Sequence, residues 1–154
     1  MSTKVGQAIV DFSLPATGGA SWKLKDARGK ALVIYFYPKD STPGCTQEGQ
    51  DFRDSYKAFQ NAGAEIVGIS RDSLKSHENF KAKFEFPFAL LSDSDEKACK
   101  LFDVIQEKTL YGKKYLGVDR STFLLDAKGV LRREWRSVKV KGHSQEVLEA
   151  VKAL

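Results

Sequence analysis

Cys45 is one of two cysteines in 154 residues, and it directly follows Pro43 and Gly44 in the stretch YFYPKDSTPGCTQEGQDF. The residues around it are those of a helix start. Thr42 is a favoured N-cap, Pro43 suits the first helical position because it has no N–H to leave unpaired, and Cys45 then falls third in the helix. A capping box would carry Glu there, an anion held by free backbone N–H groups. A thiolate fits the same slot, because the helix dipole and the unpaired first-turn amides favour negative charge and cysteines at helix starts ionise readily. The amides of Gly44 and Cys45 are oxyanion-type donors, and Gly44, lacking a Cβ, lets a small substrate approach the backbone. The chemistry implied is attack by sulfur on a small polar oxygen species. The alternative is a Cys45 that packs as a small hydrophobe.

The elements that must position this cysteine follow from hydrophobic patterning. ALVIYFYP, ahead of the motif, is a continuous apolar run of the kind found in a central strand covered on both faces. EIVGIS and STFLLD resemble it, and FALLSD is a fainter version. From Cys45 to Gly63, Phe52, Tyr56 and Phe59 recur at helical spacing; DSLKSHENFKAKF, SDEKACKLFDV and SQEVLEAVKAL read as further helices. Strands alternating with helices imply an α/β sandwich with mostly parallel central strands, and DAKGVLRREW adds a hairpin that makes the sheet mixed. No repeat or linker divides the chain, so residues 1–154 are expected to form one domain. In such folds ligands gather beyond the carboxyl ends of central strands, which is where Cys45 lies.

Composition excludes several classes. Hydrophobic content of 42% and charged content of 29% describe an ordinary globular chain rather than a disordered or fibrous one. Two cysteines with no CxxC and no Cys/His pairing at ligand spacing argue against a disulfide scaffold or a zinc site, and point to a reducing compartment. No signal-like segment or membrane-length apolar run is present, which makes a cytoplasmic location the expectation. The net charge of +5 is partly concentrated at Lys128, Arg132, Arg133, Arg136, Lys139 and Lys141. These are read as outward charges on an exposed strand rather than as a nucleic-acid surface, because no nucleic-acid-binding motif accompanies them.

Pro38, Thr42 and Cys45 together form Pro-x-x-x-Thr-x-x-Cys, which resembles the signature of peroxiredoxins, and GVDRSTFLLD is similar to that family's later segment, with Arg120 at the position of its active-site arginine. VDFSLPATGG, GKALVIYFYP and SDSDEKACKLFDVIQEKTLYGKKYLGVDRSTFLLD extend the resemblance over nearly the whole chain, most closely to the Q-type, or bacterioferritin-comigratory, branch. The resemblance implies a thioredoxin-like fold and reduction of hydrogen peroxide and organic hydroperoxides, with no metal or organic cofactor. It implies that Cys45 becomes a sulfenic acid, that Thr42 holds thiolate and peroxide through its hydroxyl, that Arg120 stabilises sulfur and the developing oxygen charge, and that Pro38 screens the pocket from water. Glu48 is either a partner that orients Arg120 or a solvated helix carboxylate. His77 and His143 are expected at the surface.

Q-type relatives place a second, resolving cysteine either five residues after the first or in the helix corresponding to SHENFKAKF. Here Gln50 and Lys81 stand where such a thiol would be sought. Cys99 remains; Ala98, Leu101, Phe102 and Ile105 cluster on one arc of its helix and Cys99 lies about 100° from the centre of that arc, which places it at the boundary of the core. The expectation is a monomer with a one-cysteine cycle, recycled by an external thiol such as glutathione, glutaredoxin or thioredoxin. A dithiol reductase would need a cysteine where Glu48 stands, and a cysteine hydrolase would need a histidine beside Cys45.

Overall fold

The computed structural model of the chain describes residues 3–154. A first hairpin, β1 (Ser13–Ala16) and β2 (Ala20–Lys23), turns through Gly18 and Gly19, both at positive φ. Then come β3 (Ala31–Phe36), α1 (Pro43–Asn61), β4 (Ala64–Ser70), α2 (Leu74–Phe84), β5 (Ala89–Ser92) and a short α3 (Lys97–Leu101). A second hairpin of β6 (Ile105–Leu110) and β7 (Lys113–Val118) precedes β8 (Ser121–Leu125), β9 (Leu131–Trp135) and α4 (His143–Lys152).

Seven strands form one sheet in the order β2-β1-β5-β4-β3-β8-β9. The pairs β3–β4 and β4–β5 are parallel and the other pairs antiparallel, so the sheet is mixed, as the alternating strands and the β8–β9 hairpin imply. All six residues of β3 are buried, which is why its pattern is continuous rather than alternating. Leu32, Ile34 and Phe36 point into one core with Phe102, Phe123 and Cys99. Val33 and Tyr35 point into the other, with Cys45, Phe52 and Phe59 of α1, Phe80 of α2 and Val147 of α4. The two cysteines thus lie in cores on opposite faces of the same sheet.

Two expectations need correction. SDEKACKLFDV is helical only over Lys97–Leu101. The chain then turns at Asp103, with φ of 55°, and Val104 N–H bonds to the Cys99 carbonyl. With the helix that short, periodicity through Ile105 has no meaning, and Cys99 is fully buried at 0% exposure rather than at a boundary. The β6–β7 hairpin was not anticipated. Its residues are mostly polar and exposed, without alternation, and only Tyr111-Gly112, both at positive φ between the paired Leu110 and Lys113, mark the two-residue turn.

The three arginines of the basic segment are engaged on the fold itself. Arg132 pairs with Asp126, and Arg133 lies over the Trp135 ring. Arg136 donates to the Phe102 and Asp103 carbonyls. Among the described residues, no helix is long and apolar enough to cross a membrane.

The seat of α1 on the core is tight at Gly49, where an added Cβ would lie 2.5 Å from Phe86 Cζ. Alanine is favoured in a helix by about 1 kcal/mol over glycine, but overpacking typically costs about 1–3 kcal/mol. Gly49→Ala is therefore expected to lower the urea midpoint; a raised midpoint would show that Phe86 yields without strain.

Candidate active site

β3 ends at Phe36 and delivers the chain to the motif loop at the carboxyl edge of the sheet. Helix α1 starts as its residues dictate, with Thr42 in extended conformation as N-cap, Pro43 first and Cys45 third. Its Thr42 carbonyl accepts the first intrahelical bond, from Thr46. The Thr42 hydroxyl does not cap the helix; it donates to the Lys39 carbonyl at 2.8 Å and braces the loop. Pro38 is half-buried at the start of that loop. The Gly44 and Cys45 amides have no acceptor within the helix, as first-turn geometry requires.

Arg120 reaches the same point from the opposite direction. Phe36 at the end of β3 pairs with Ser121 at the start of β8, so the residue before β8 falls beside the start of α1. Its segment is fixed by Asp119 N–H on the Val104 carbonyl and by Val138 N–H on the Arg120 carbonyl. Arg120 Nη2 donates to Cys45 Sγ at 3.3 Å, and Nη1 donates to Glu48 Oε1 at 2.6 Å. An added Cβ on Gly44 would lie 3.1 Å from Nη2, so the space left by this glycine admits the guanidinium.

Cys45 is buried at 2% exposure, and Glu48 is buried beside it. Of the two readings of Glu48, the structure supports the partner that orients Arg120. The pair is lopsided in its electrostatics. At Glu48 burial outweighs the attraction of Arg120 and pushes the carboxyl up to about 7. At Arg120 burial acts to lower the guanidinium, but the Glu48 and Cys45 charges outweigh it and the net direction is up. Arg120 therefore stays cationic against the sulfur. Glu48 Oε2 and the Tyr35 hydroxyl are both buried without a partner among the described residues. The Tyr35 phenol is held neutral by burial, with Glu48 and Cys45 adding to the effect.

Both histidines are buried, contrary to expectation. His77 contacts Asp40 and the Leu91 carbonyl, and His143 Nε2 lies 2.8 Å from Thr122 Oγ1. Their partners come from distant loops and strands, which local helical patterning does not reveal. Neither bonds Cys45, so no cysteine–histidine dyad forms among the described residues. Burial pushes His143 down to about 4. A lowered folded value means the native state holds the neutral ring, so this contribution is complete above about 6.5 and is lost as the pH falls toward 4, at about 1.4 kcal/mol per unit of separation. His143→Gln is expected to lose less stability than the parent between pH 7 and pH 4.5 in urea titrations, and parallel losses would contradict it.

Cys99 is a different kind of thiol. Burial pushes it far up, with the Asp93 charge adding, and Asp93 also accepts the Ala98 and Cys99 amides. A thiol so held stays protonated. Asp40, Asp72 and His77 bring potential ligand atoms within 4.8 Å of one another. Those atoms are already engaged by hydrogen bonds within the protein.

Comparison with known proteins agrees with this geometry. Residues 5–134 match the AhpC/TSA family. Peroxiredoxin Bcp of Xanthomonas campestris is 56% identical over 146 residues, covering 95% of this chain and 91% of the relative. A structure of the Xanthomonas campestris Bacterioferritin Comigratory Protein, described for its alkyl peroxide reduction activity, superposes with a TM-score of 0.88 at 55% identity, covering 92% of this chain and 90% of that one. A cysteine-to-serine mutant of Xylella fastidiosa PrxQ superposes with a TM-score of 0.94 at 43% identity, covering 98% and 96%. The thioredoxin-like fold, the cysteine at a helix start and these likenesses lead to one conclusion: the chain is a thiol-dependent peroxidase that belongs to the AhpC/TSA family, in its peroxiredoxin Q or Bcp branch.

Proposed function

We propose that Cys45 is the peroxide-reacting thiol of this peroxidase, with Arg120 and Thr42 as its partners, and that it works in a one-cysteine cycle. The observation that carries the first part is the donation of Arg120 Nη2 to Cys45 Sγ at a helix start. The Cys45 thiolate attacks the O–H-bearing peroxide oxygen, the S–O bond forms as the O–O bond breaks, and the peroxide's own proton passes to the departing oxygen, giving water or an alcohol and a sulfenate that takes a proton from solvent to become the sulfenic acid. Arg120 and the Gly44 and Cys45 amides face the charge that develops. Thr42, with its proton on Lys39, keeps hydroxyl lone pairs for a peroxide O–H, and Pro38 limits water at the mouth. Hydrogen peroxide and alkyl hydroperoxides are the proposed substrates, the latter supported by the activity described for the Xanthomonas relative.

Recycling is assigned to an external thiol. It attacks the Cys45 sulfenic acid to give a mixed disulfide and water, and a second thiol releases Cys45. Two features support this. Cys45 and Cys99 occupy cores on opposite faces of the sheet, whereas a disulfide needs Cα atoms about 4.4–6.8 Å apart. Lys81, at one place where a resolving thiol was sought, donates to the Phe88 carbonyl and braces the end of α2. Glutathione, glutaredoxin and thioredoxin fit this role equally on chemistry. A monomer acting in the reducing cytoplasm completes the reading.

Cys99→Ser is expected to keep steady-state peroxide turnover with a small external thiol. Loss of turnover in this variant, together with a Cys45–Cys99 linkage in the oxidised parent, would replace the one-cysteine cycle with a two-cysteine one and leave the peroxidase assignment intact.

A further inference from the structure

The buried side chains between the motif loop and α2 form a closed hydrogen-bond network. His77, on α2, is 0% exposed. Its Nε2 lies 2.9 Å from the Leu91 carbonyl, which only accepts, so Nε2 carries a proton. Its Nδ1 lies 2.7 Å from Asp40 Oδ2. The same carboxylate accepts the Tyr37 hydroxyl at 2.6 Å and the Ser76 hydroxyl at 2.8 Å. Both ring nitrogens are thus engaged, Nε2 by the Leu91 carbonyl and Nδ1 by Asp40, with the Tyr37 hydroxyl 3.5 Å from Nδ1. The Asp40 amide in turn donates to Asp72 Oδ2 at 2.9 Å, and Ser70 Oγ bonds the same oxygen.

Asp40 stands two residues before the Thr42 N-cap, and between them Ser41 adopts φ of 64°, a conformation that L residues other than asparagine, aspartate and histidine seldom take. The loop therefore has one anchored side and one strained step before the helix that carries Cys45. We infer that the His77–Asp40 pair is a latch that positions Cys45. It holds the loop on α2 so that the first turn of α1 closes over the sulfur and presents it to Arg120. Removing His77 leaves the buried Asp40 side chain without its Nδ1 partner, and a buried polar group short of a partner is unfavourable. The carboxylate then turns to water and draws the loop and the first turn of α1 with it. His77 acts through Asp40 and touches neither sulfur nor peroxide.

The inference rests on Cys45 being the reacting thiol, and the parent protein's own peroxide rate at Cys45 checks that separately. Two rates decide the latch, both measured in a Cys99→Ser background so that only Cys45 reports. One is the stopped-flow rate of peroxide oxidation. The other is alkylation by a bulky maleimide relative to iodoacetamide, a ratio that cancels intrinsic thiol reactivity and reads access. In His77→Ala the peroxide rate is expected to fall by roughly tenfold to a hundredfold, the scale of a small displacement of a reacting group, while the access ratio rises. A general loss of packing would also raise access and slow the peroxide step, so the two readouts are compared in variants whose urea midpoint matches the background protein, where their opposite movement reports the loop alone. Tyr37→Phe, which removes only one donor to Asp40, should move both in the same directions by about threefold to tenfold, the worth of one hydrogen bond. It decides the matter if His77→Ala does not fold. A peroxide rate within twofold of the background protein, or a slowed peroxide step with an unchanged access ratio, overturns the latch.

Discussion

Cys45→Ser is expected to consume no peroxide above the uncatalysed rate while keeping the native fold. A serine hydroxyl is not ionised at neutral pH and is a poor nucleophile without a base. Neither histidine supplies one, because His77 and His143 are engaged elsewhere. The substitution replaces a buried sulfur with a smaller oxygen, and Arg120 Nη2 remains available as its donor. Loss of folding is thus not the expected cause. The test is peroxide consumption beside circular dichroism, and turnover in a folded Cys45→Ser variant would move the chemistry to another residue.

Arg120→Lys should slow peroxide reduction by roughly 10²–10³, or about 2.7–4 kcal/mol, the usual effect of losing one preorganised donor at a developing charge. The guanidinium addresses two targets at once, Sγ through Nη2 and Glu48 Oε1 through Nη1. An ammonium is a point charge on a flexible stem and does not reproduce that fork. Glu48 also loses the fixed Nη1 hydrogen bond that helps oppose its desolvation, although a cation remains nearby. The fixed orientation at the sulfur is lost on both counts. Stopped-flow measurement of the peroxide step checks this, and an unchanged rate constant in a folded variant would remove Arg120 from the transition state.

Local sequence was a good guide wherever one short stretch carried the whole signal. The apolar run of β3 and the Thr-Pro-Gly-Cys start of α1 appear where their residue types place them. Features that depend on distant partners were harder to read. Arg120 lies 75 positions from Cys45, and nothing in its own neighbourhood marks it; only the resemblance of GVDRSTFLLD to the family segment pointed to it. Glu48 was ambiguous for the same reason, since its burial is decided by a residue 72 positions away. His77 and His143 sit on helices whose patterns look amphipathic, and their burial follows from Asp40, the Leu91 carbonyl and Thr122. The β6–β7 hairpin escaped because its strands are solvated on much of both faces, with Tyr111 96% exposed at the tip. Helical periodicity misleads at Cys99 because the helix stops at Leu101 and the chain turns at Asp103, where no proline or glycine announces it.

The most direct test of Cys45 as the peroxide-reducing thiol is one equivalent of hydrogen peroxide added to the reduced protein, followed by intact mass and dimedone trapping with peptide mapping. The expected product gains a single oxygen atom, carried on the Cys45 peptide and converted to a dimedone adduct there, with Cys99 unmodified. Peroxide left unconsumed, or oxygen found first on Cys99, would contradict the assignment.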